Sequence, residues 1–382
     1  MTQRGTYRAD HVGSLLRPPE LLAAREAFSR GRIGWEQLRE AEDRAILTAL
    51  DLQREVGLDV FTDGEYRRGI WYGPLHEAIE GLIPDPNPPA PPPPGVGWKG
   101  RGAELAAQAM AEVGATGMVV GAKLRQVRRF TGHESAFLRQ HAPGPWKITM
   151  PGVYQRAAGW YKPGITDKVY PTRAEMLNDL VEMMRREVQA LIDEGVSYIQ
   201  LDSLTYVIQL ADPRRRQLLI ESGQDPDQVL DELIATDNAT LAGVPRDRVT
   251  IGLHMCRGNN RSAWASEGGY EVCAEKAFTQ LTVDRFLLEY DTERAGGFEP
   301  LRFVPKDKMV VLGLISSKDP TLESKDQLLR RIEEASKYVP LENLAISPQC
   351  GFASTFRGNL LTWDDQRRKL ELVVEVAREV WG

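Results

Sequence analysis

Short apolar, β-branched runs alternate with long amphipathic stretches along most of the chain, and this alternation restricts the fold more than any other feature. A strand followed by a helix and then another strand reads as a βα unit, and repeated units build a parallel sheet. Periodicity predicts helices over Trp35 to Val56, Arg173 to Glu194, Pro226 to Ala242, Lys325 to Lys337 and Asp364 to Val380. Candidate strands end near Ser14, Asp63, Met150, Asp202, His254, Glu289, Ser316 and Gln349. Eight such ends predict an α/β fold of the TIM (β/α)8 barrel type, for which about 250 residues plus insertions suffice. The chain has 382 residues.

The stretch between the second and third candidate strands is too long for one βα connection. Residues 82–135 read as an insertion in a single domain spanning residues 1–382. Pro84 to Pro94 holds eight prolines in eleven residues, which predicts an exposed, extended polyproline run. A helical run, Gly102 to Val113, and a β-type pair around Thr116 to Leu124 and Gln126 to Thr131 follow. The insertion is expected to pack on the barrel, as a hairpin at its mouth or as a contact between copies of a homo-oligomer. A linker between domains is the alternative, but the N-terminal piece would be too small to bury a core.

A formal charge of −6 argues against nucleic acid or an anionic membrane as partner. No N-terminal segment resembles a signal peptide, and no apolar run approaches the roughly 18 residues a membrane span needs. Three cysteines, an odd number, fit a reducing cytoplasm. A cytoplasmic enzyme acting on small molecules is the expectation.

His254-Met255-Cys256 stands at the end of the fifth candidate strand. Residues two apart on a strand point to the same side, so imidazole and thiol converge. Zn2+ takes three or four N, S or O ligands, and few cysteines are available to complete the set. Cys350 follows Leu344-Ala-Ile-Ser-Pro-Gln349, another strand running into a loop, whereas Cys273 lies in a helical pattern and reads as an inert buried thiol. Val283-Asp-Arg-Phe-Leu-Leu-Glu289 is a strand ending on a carboxylate, with Asp291 and Glu293 as neighbouring alternatives. The predicted metal set is therefore His254, Cys256, Glu289 and Cys350. Ligands drawn from separate strand ends suit a catalytic site rather than a zinc finger. Ser14, Glu65, Asp202 and Lys318 also fall at strand ends, where barrel active sites collect. From their type alone, Glu65 and Asp202 serve equally well as salt-bridge carboxylates.

The stretches His11-Val-Gly-Ser14, Gly57-Leu-Asp-Val-Phe-Thr-Asp-Gly-Glu65, Ile199-Gln-Leu-Asp202, His254-Met-Cys256, Leu288-Glu-Tyr-Asp291 and Ser347-Pro-Gln-Cys-Gly351 resemble the catalytic barrel of cobalamin-independent methionine synthase. The short single-barrel bacterial relatives are closer still. The resemblance implies zinc-dependent methyl transfer to a thiol such as homocysteine, within methionine biosynthesis. It selects Glu289 over its acidic neighbours as the fourth ligand. It also implies that Ser14, Glu65 and Asp202 bind the amino-acid thiol, the two carboxylates taking its ammonium group.

Two departures qualify the resemblance. The full-length synthase has a second barrel that helps to hold its folate, and this chain has no room for one, so the alkyl donor, methyltetrahydrofolate or another, is open. Where the family places a histidine after the seventh strand as proton donor, Gly313-Leu-Ile-Ser-Ser-Lys318 places Lys318. A lysine there serves as catalytic proton donor or reads an anionic group, the plain alternative being a solvated side chain paired with Asp319. Two other functions compete. One is thiol addition to an epoxide, as in epoxyalkane:coenzyme M transferases, with Lys318 or Arg257 facing the sulfonate. The other is a metal-free barrel like the porphyrinogen decarboxylases, with His254 and Cys256 in its core.

Overall fold

A computed structural model describes residues 6–88, 93, 96–112 and 117–382. Six parallel strands form one sheet in sequential order: β3 (Lys147–Pro151), β4 (Tyr198–Asp202), β5 (Thr250–Met255), β6 (Arg285–Glu289), β7 (Met309–Ile315) and β8 (Leu344–Pro348). Apart from Met309 at the start of β7, every residue of these strands is buried. Such burial is expected of a parallel sheet, which is covered on both faces.

The first two candidate strands are reduced to single parallel bridges. Ala9 pairs with Ile346 of β8, and Phe61 pairs with Trp146 beside β3. The Asp59 amide donates to the Ala9 carbonyl at 3.2 Å.

Strand alternation divides the sheet chemically. On one face Ile199, Leu201, Ile251, Leu253, Phe286 and Leu288 join the main core, built with the surrounding helices. The alternate residues of the same strands include Tyr198, Gln200 and Asp202, then Gly252 and His254, then Arg285, Leu287 and Glu289. This second face is buried and polar. Gly252 makes room on it, because a Cβ there would come 2.7 Å from the Tyr198 hydroxyl.

At the amino end of this face Lys147 Nζ donates to Asp10 Oδ1 at 2.8 Å, and Arg285 Nη1 lies 3.5 Å from Asp10 Oδ2. Tyr198 Oη also donates to that carboxylate, at 3.2 Å. Taking the negative partner from a buried ion pair leaves an uncompensated charge. Asp10→Asn is expected to cost about 3–5 kcal/mol, seen as a lower urea midpoint at unchanged m-value.

The helices follow the expected pattern closely. Trp35–Val56 begins where Gln37 accepts from the Gly34 amide at 3.0 Å and stops at Gly57, whose φ of 89° a residue with a Cβ rarely adopts. Arg173–Asp193, Pro226–Thr240, Lys325–Ala335 and Trp363–Trp381 occupy the other predicted segments. Among the described residues no helix is long and apolar enough to cross a membrane.

Between the Phe61 bridge and β3 the outcome differs from expectation. Two antiparallel strands form there, β1 (Ile79–Pro84) and β2 (Met118–Gln126), with Ala103–Glu112 helical between them. The partner of β2 precedes the proline-rich segment, and Gln126 to Thr131 is not its hairpin mate. The backbone amides of Phe130 and Thr131 are instead committed to the Glu187 carboxylate, at 3.1 and 2.9 Å, which removes them from any ladder. Residues 89–92 and 94 of the expected polyproline run lie outside the described residues.

Candidate metal and thiol site

The sheet register brings the predicted residues to one level. Asp202 is the ladder partner of His254, and Glu289 that of Gly313, which itself pairs with Ser347 three residues before Cys350. His254 Nδ1 lies 3.2 Å from the Leu287 carbonyl, to which it donates, so Nε2 is the nitrogen left to face the site. Nε2 is buried and has no hydrogen-bond partner.

The potential ligand atoms of His254, Cys256 and Cys350 all lie within 4.8 Å of one another, and the two sulfurs are 3.6 Å apart. Leu204 packs with both thiols, and Trp71 and Ile208 close the apolar wall. Of the two thiols Cys256 is pushed up and Cys350 down, because the Cys256 S–H leans on the Cys350 sulfur. His254 and Lys318 further favour the Cys350 thiolate. Cys273 stays apart, in the helix Glu271–Gln280, and burial pushes its thiol up to about 12.

Glu289 is buried beside this cluster but outside the 4.8 Å group. Its carboxylate accepts from the Arg257 amide and from Arg294 at 3.0 Å, and Lys318 Nζ lies 3.4 Å away. Burial works to raise its pKa, but Lys318, Arg257 and Arg294 outweigh it and hold the group at about 2. Lys318 is thus buried against Glu289, and its pairing with Asp319 in solvent is overturned. Asp291 is turned to Arg294 at 2.8 Å.

Ser14, Glu65, Asp202, His254, Cys256 and Cys350 line one cavity of about 320 Å³. Neither Glu289 nor Lys318 lines it. Ser14 comes so close to the Cys350 loop that a Cβ on Gly351 would sit 2.0 Å from its hydroxyl, so glycine is required there.

Glu65 has φ of 58°, in the left-handed region, and Asp63 Oδ1 accepts from its amide at 2.9 Å to hold that turn. A strained non-glycine residue at a site points toward function. One carboxylate oxygen of Glu65 accepts from Thr149 Oγ1 at 2.7 Å and lies 3.4 Å from Arg68, while the other is buried without a partner. Burial raises the Glu65 carboxyl, with Arg68 opposing, and pushes Asp202 up to about 7, with His254 opposing. No lysine or arginine forms an ion pair with Asp202 among the described residues, and Gln200 Nε2 donates to its carboxylate at 2.8 Å. Asp202 without a lysine or arginine partner, beside Glu65 with one carboxylate oxygen unpartnered, is suited to an incoming cation.

Sequence reasoning missed the aromatic wall. Trp71, Tyr72 and Trp98 line the cavity, whereas Trp160 and Tyr206 are in the core. The signal available for Trp71 and Tyr72 was their position in the loop that carries Glu65.

Residues 164–379 match the family described as cobalamin-independent synthase, catalytic domain. An uncharacterized Bacillus subtilis protein, YxjH, is 37% identical over 99% of this chain and 96% of its own length. The methionine synthase of Pyrococcus abyssi is 24% identical over 89% of this chain and 84% of that protein. The crystal structure of a putative vitamin-B12 independent methionine synthase from Listeria monocytogenes matches with a TM-score of 0.72 at 28% identity, covering the whole of both chains. With the family match spanning more than half of its length, the chain belongs to the cobalamin-independent methionine synthase family.

Proposed function

We propose that this protein is a zinc-dependent alkyltransferase that methylates a thiol, with homocysteine as acceptor. One observation carries the reading: the buried, unpartnered Nε2 of His254 converges with the sulfurs of Cys256 and Cys350. Leaving such a nitrogen unsatisfied costs about 1–3 kcal/mol. An imidazole with two thiolates is a donor set that favours zinc and would satisfy it. Glu289 is the proposed fourth ligand, and its three cations keep it anionic. The sheet with its two bridged segments is read as one TIM barrel, and residues 82–135 as an insertion beside its mouth.

Zinc, when bound, keeps an acceptor thiol deprotonated and fixed at neutral pH. The protein's own groups do the rest. Glu65 and Asp202 take the ammonium group of the acceptor, with Ser14 beside them. Leu204, Trp71 and Ile208 keep water from the sulfurs, which strengthens a thiolate as nucleophile toward an alkyl carbon. Lys318, buried against Glu289 and not part of the cavity lining, acts through Glu289 and on the Cys350 sulfur as a positioning residue rather than by donating to substrate. Methyltetrahydrofolate is the donor expected of this family, and the rings of Trp71 and Trp98 on the cavity wall suit a planar ring.

Epoxide opening with a sulfonate thiol loses the two cations that the sequence offered for the sulfonate. Arg257 donates to the carbonyls of Gly268, Glu289 and Ala295, and Lys318 faces Glu289, so neither cation is offered to a sulfonate. A metal-free site gives His254 Nε2 no partner.

Metal analysis of purified protein is expected to find one zinc per chain. Calorimetry is expected to show homocysteine binding with proton release, and methyltetrahydrofolate to yield methionine. Absence of zinc, or binding of coenzyme M in place of homocysteine, would remove the proposal.

A further inference from the structure

The cavity that receives the thiol also holds a cation without a counter-ion. Arg156 lies on the short helix Tyr154–Trp160 after β3 and lines the cavity. Among the described residues no carboxylate pairs with it, and its Nε is buried without a hydrogen-bond partner. The guanidinium lies over the buried Tyr72 ring, 4.3 Å from the centroid. Arg215, the other guanidinium on the cavity wall, is spent on the carbonyls of Val96 and Ala265. His76, packed between Tyr72 and Trp160, brings no second charge, because burial and Arg156 hold its imidazole down at about 4.

The order of the sheet puts this cation in a telling place. Phe61, just before Glu65, bridges to Trp146 beside β3, and Pro151 at the end of β3 pairs with Asp202. Arg156 therefore belongs to the loop between the two that carry Glu65 and Asp202. An α-amino acid carries its ammonium and carboxylate on the same carbon, so a site with two carboxylates for the first is complemented by a cation close by for the second. A stacked guanidinium offers a planar fork that matches a carboxylate in two hydrogen bonds.

We propose that Arg156 reads a substrate carboxylate and so sets the substrate specificity of the cavity. The inference rests on the zinc–thiol reading above and adds to it the class of ligand: a carboxylate, that of the amino-acid acceptor first, with a carboxylate on the alkyl donor as the other source.

Calorimetry on zinc-loaded wild type, Arg156→Gln and Arg156→Lys, with homocysteine and with 3-aminopropane-1-thiol, tests it. The second ligand keeps thiol and amine and lacks only the carboxylate. Arg156→Gln is expected to weaken homocysteine about 10- to 100-fold and to leave the decarboxylated analogue unchanged, with Arg156→Lys recovering part of the loss. Unchanged homocysteine binding with a raised KM for methyltetrahydrofolate at unchanged kcat would assign the carboxylate to the donor and also support the proposal. Equal weakening of both thiols would mark a merely structural arginine and overturn it, as would wild-type behaviour of Arg156→Gln toward acceptor and donor. A wild type that takes up neither zinc nor either thiol would overturn the zinc–thiol reading and this inference together, a result distinct from failure in the variant alone.

Discussion

Replacing Cys350 with serine is expected to empty the proposed zinc site and abolish methyl transfer. Cys350 supplies the sulfur whose thiolate form the surroundings favour most, through the Cys256 S–H, His254 and Lys318. Serine keeps the shape within a few tenths of an ångström, but its hydroxyl stays protonated where a thiolate is required. Loss of an outer partner of a metal ligand already costs about 10–100-fold in metal affinity or activity, and loss of the ligand itself should exceed the upper figure. Zinc content measured after dialysis against a weak chelator should fall from one per chain to near zero, while the far-UV spectrum is unchanged. Cys273→Ser provides the control: that thiol donates to the Tyr270 carbonyl at 3.4 Å, away from the cluster, and its loss should leave zinc and activity alone. Equal zinc in Cys350→Ser and wild type would show that the three convergent side chains are not a metal site.

The second large effect has opposite signs for stability and for binding. Asp202 is buried, and its carboxyl is raised from an ordinary 3.8 to about 7, chiefly by that burial. Since the folded state holds the proton more tightly than the unfolded chain, the group's contribution is most favourable below pH 4. That contribution is lost as pH rises through 7, and at pH 8 the ionised carboxylate costs on the order of 4 kcal/mol. Asp202→Asn removes the charge and keeps an oxygen for Gln200 Nε2, which now donates at 2.8 Å. Metal-free Asp202→Asn should therefore unfold at higher denaturant than metal-free wild type at pH 8, with the gap closing toward pH 4. Bound zinc would itself lower the Asp202 pKa and shrink the difference. The same change should weaken homocysteine binding about 10- to 100-fold, the worth of a charged hydrogen bond. A variant that is both less stable at pH 8 and equally good at binding would contradict both parts. The trade is the familiar one in which a site tolerates local destabilisation for the sake of its ligand.

How much of this was legible in the sequence depends on the range of the interactions involved. The ends of β4 and β6 at Asp202 and Glu289, and the helix Trp35–Val56, match expectation to the residue. Each is set by a local pattern: a run buried on both faces, or apolar spacing closed by a glycine. The convergence of His254, Cys256 and Cys350 follows from strand ends in one parallel sheet, so the fold class alone carried most of the site. The partner of β2 was misplaced because pairing across more than 30 residues leaves no local trace, and because Glu187, on a distant helix, takes the amides that would have made the nearer strand. Lys318 was legible as a position but not as a contact, since only the folded sheet brings Glu289 to it. The unusual backbone of Glu65 has no signature in residue type, and Arg156 draws its meaning from what fails to pair with it.

The bridge between Ala9 and Ile346 has a consequence in time. Ala9 meets Ile346, the Phe352 amide donates to the Ser14 carbonyl at 2.8 Å, and Gln366 accepts from the Leu16 amide at 2.7 Å. Contacts of such sequence separation form late, because the loop they close is long and its entropy is lost before the contact repays it. During synthesis the first segment must wait for nearly all that follows, and the loop of Cys350 seats against Ser14 only at the end. A nascent chain can thus build much of its sheet while its thiols remain apart, so metal uptake becomes a reporter of completed folding.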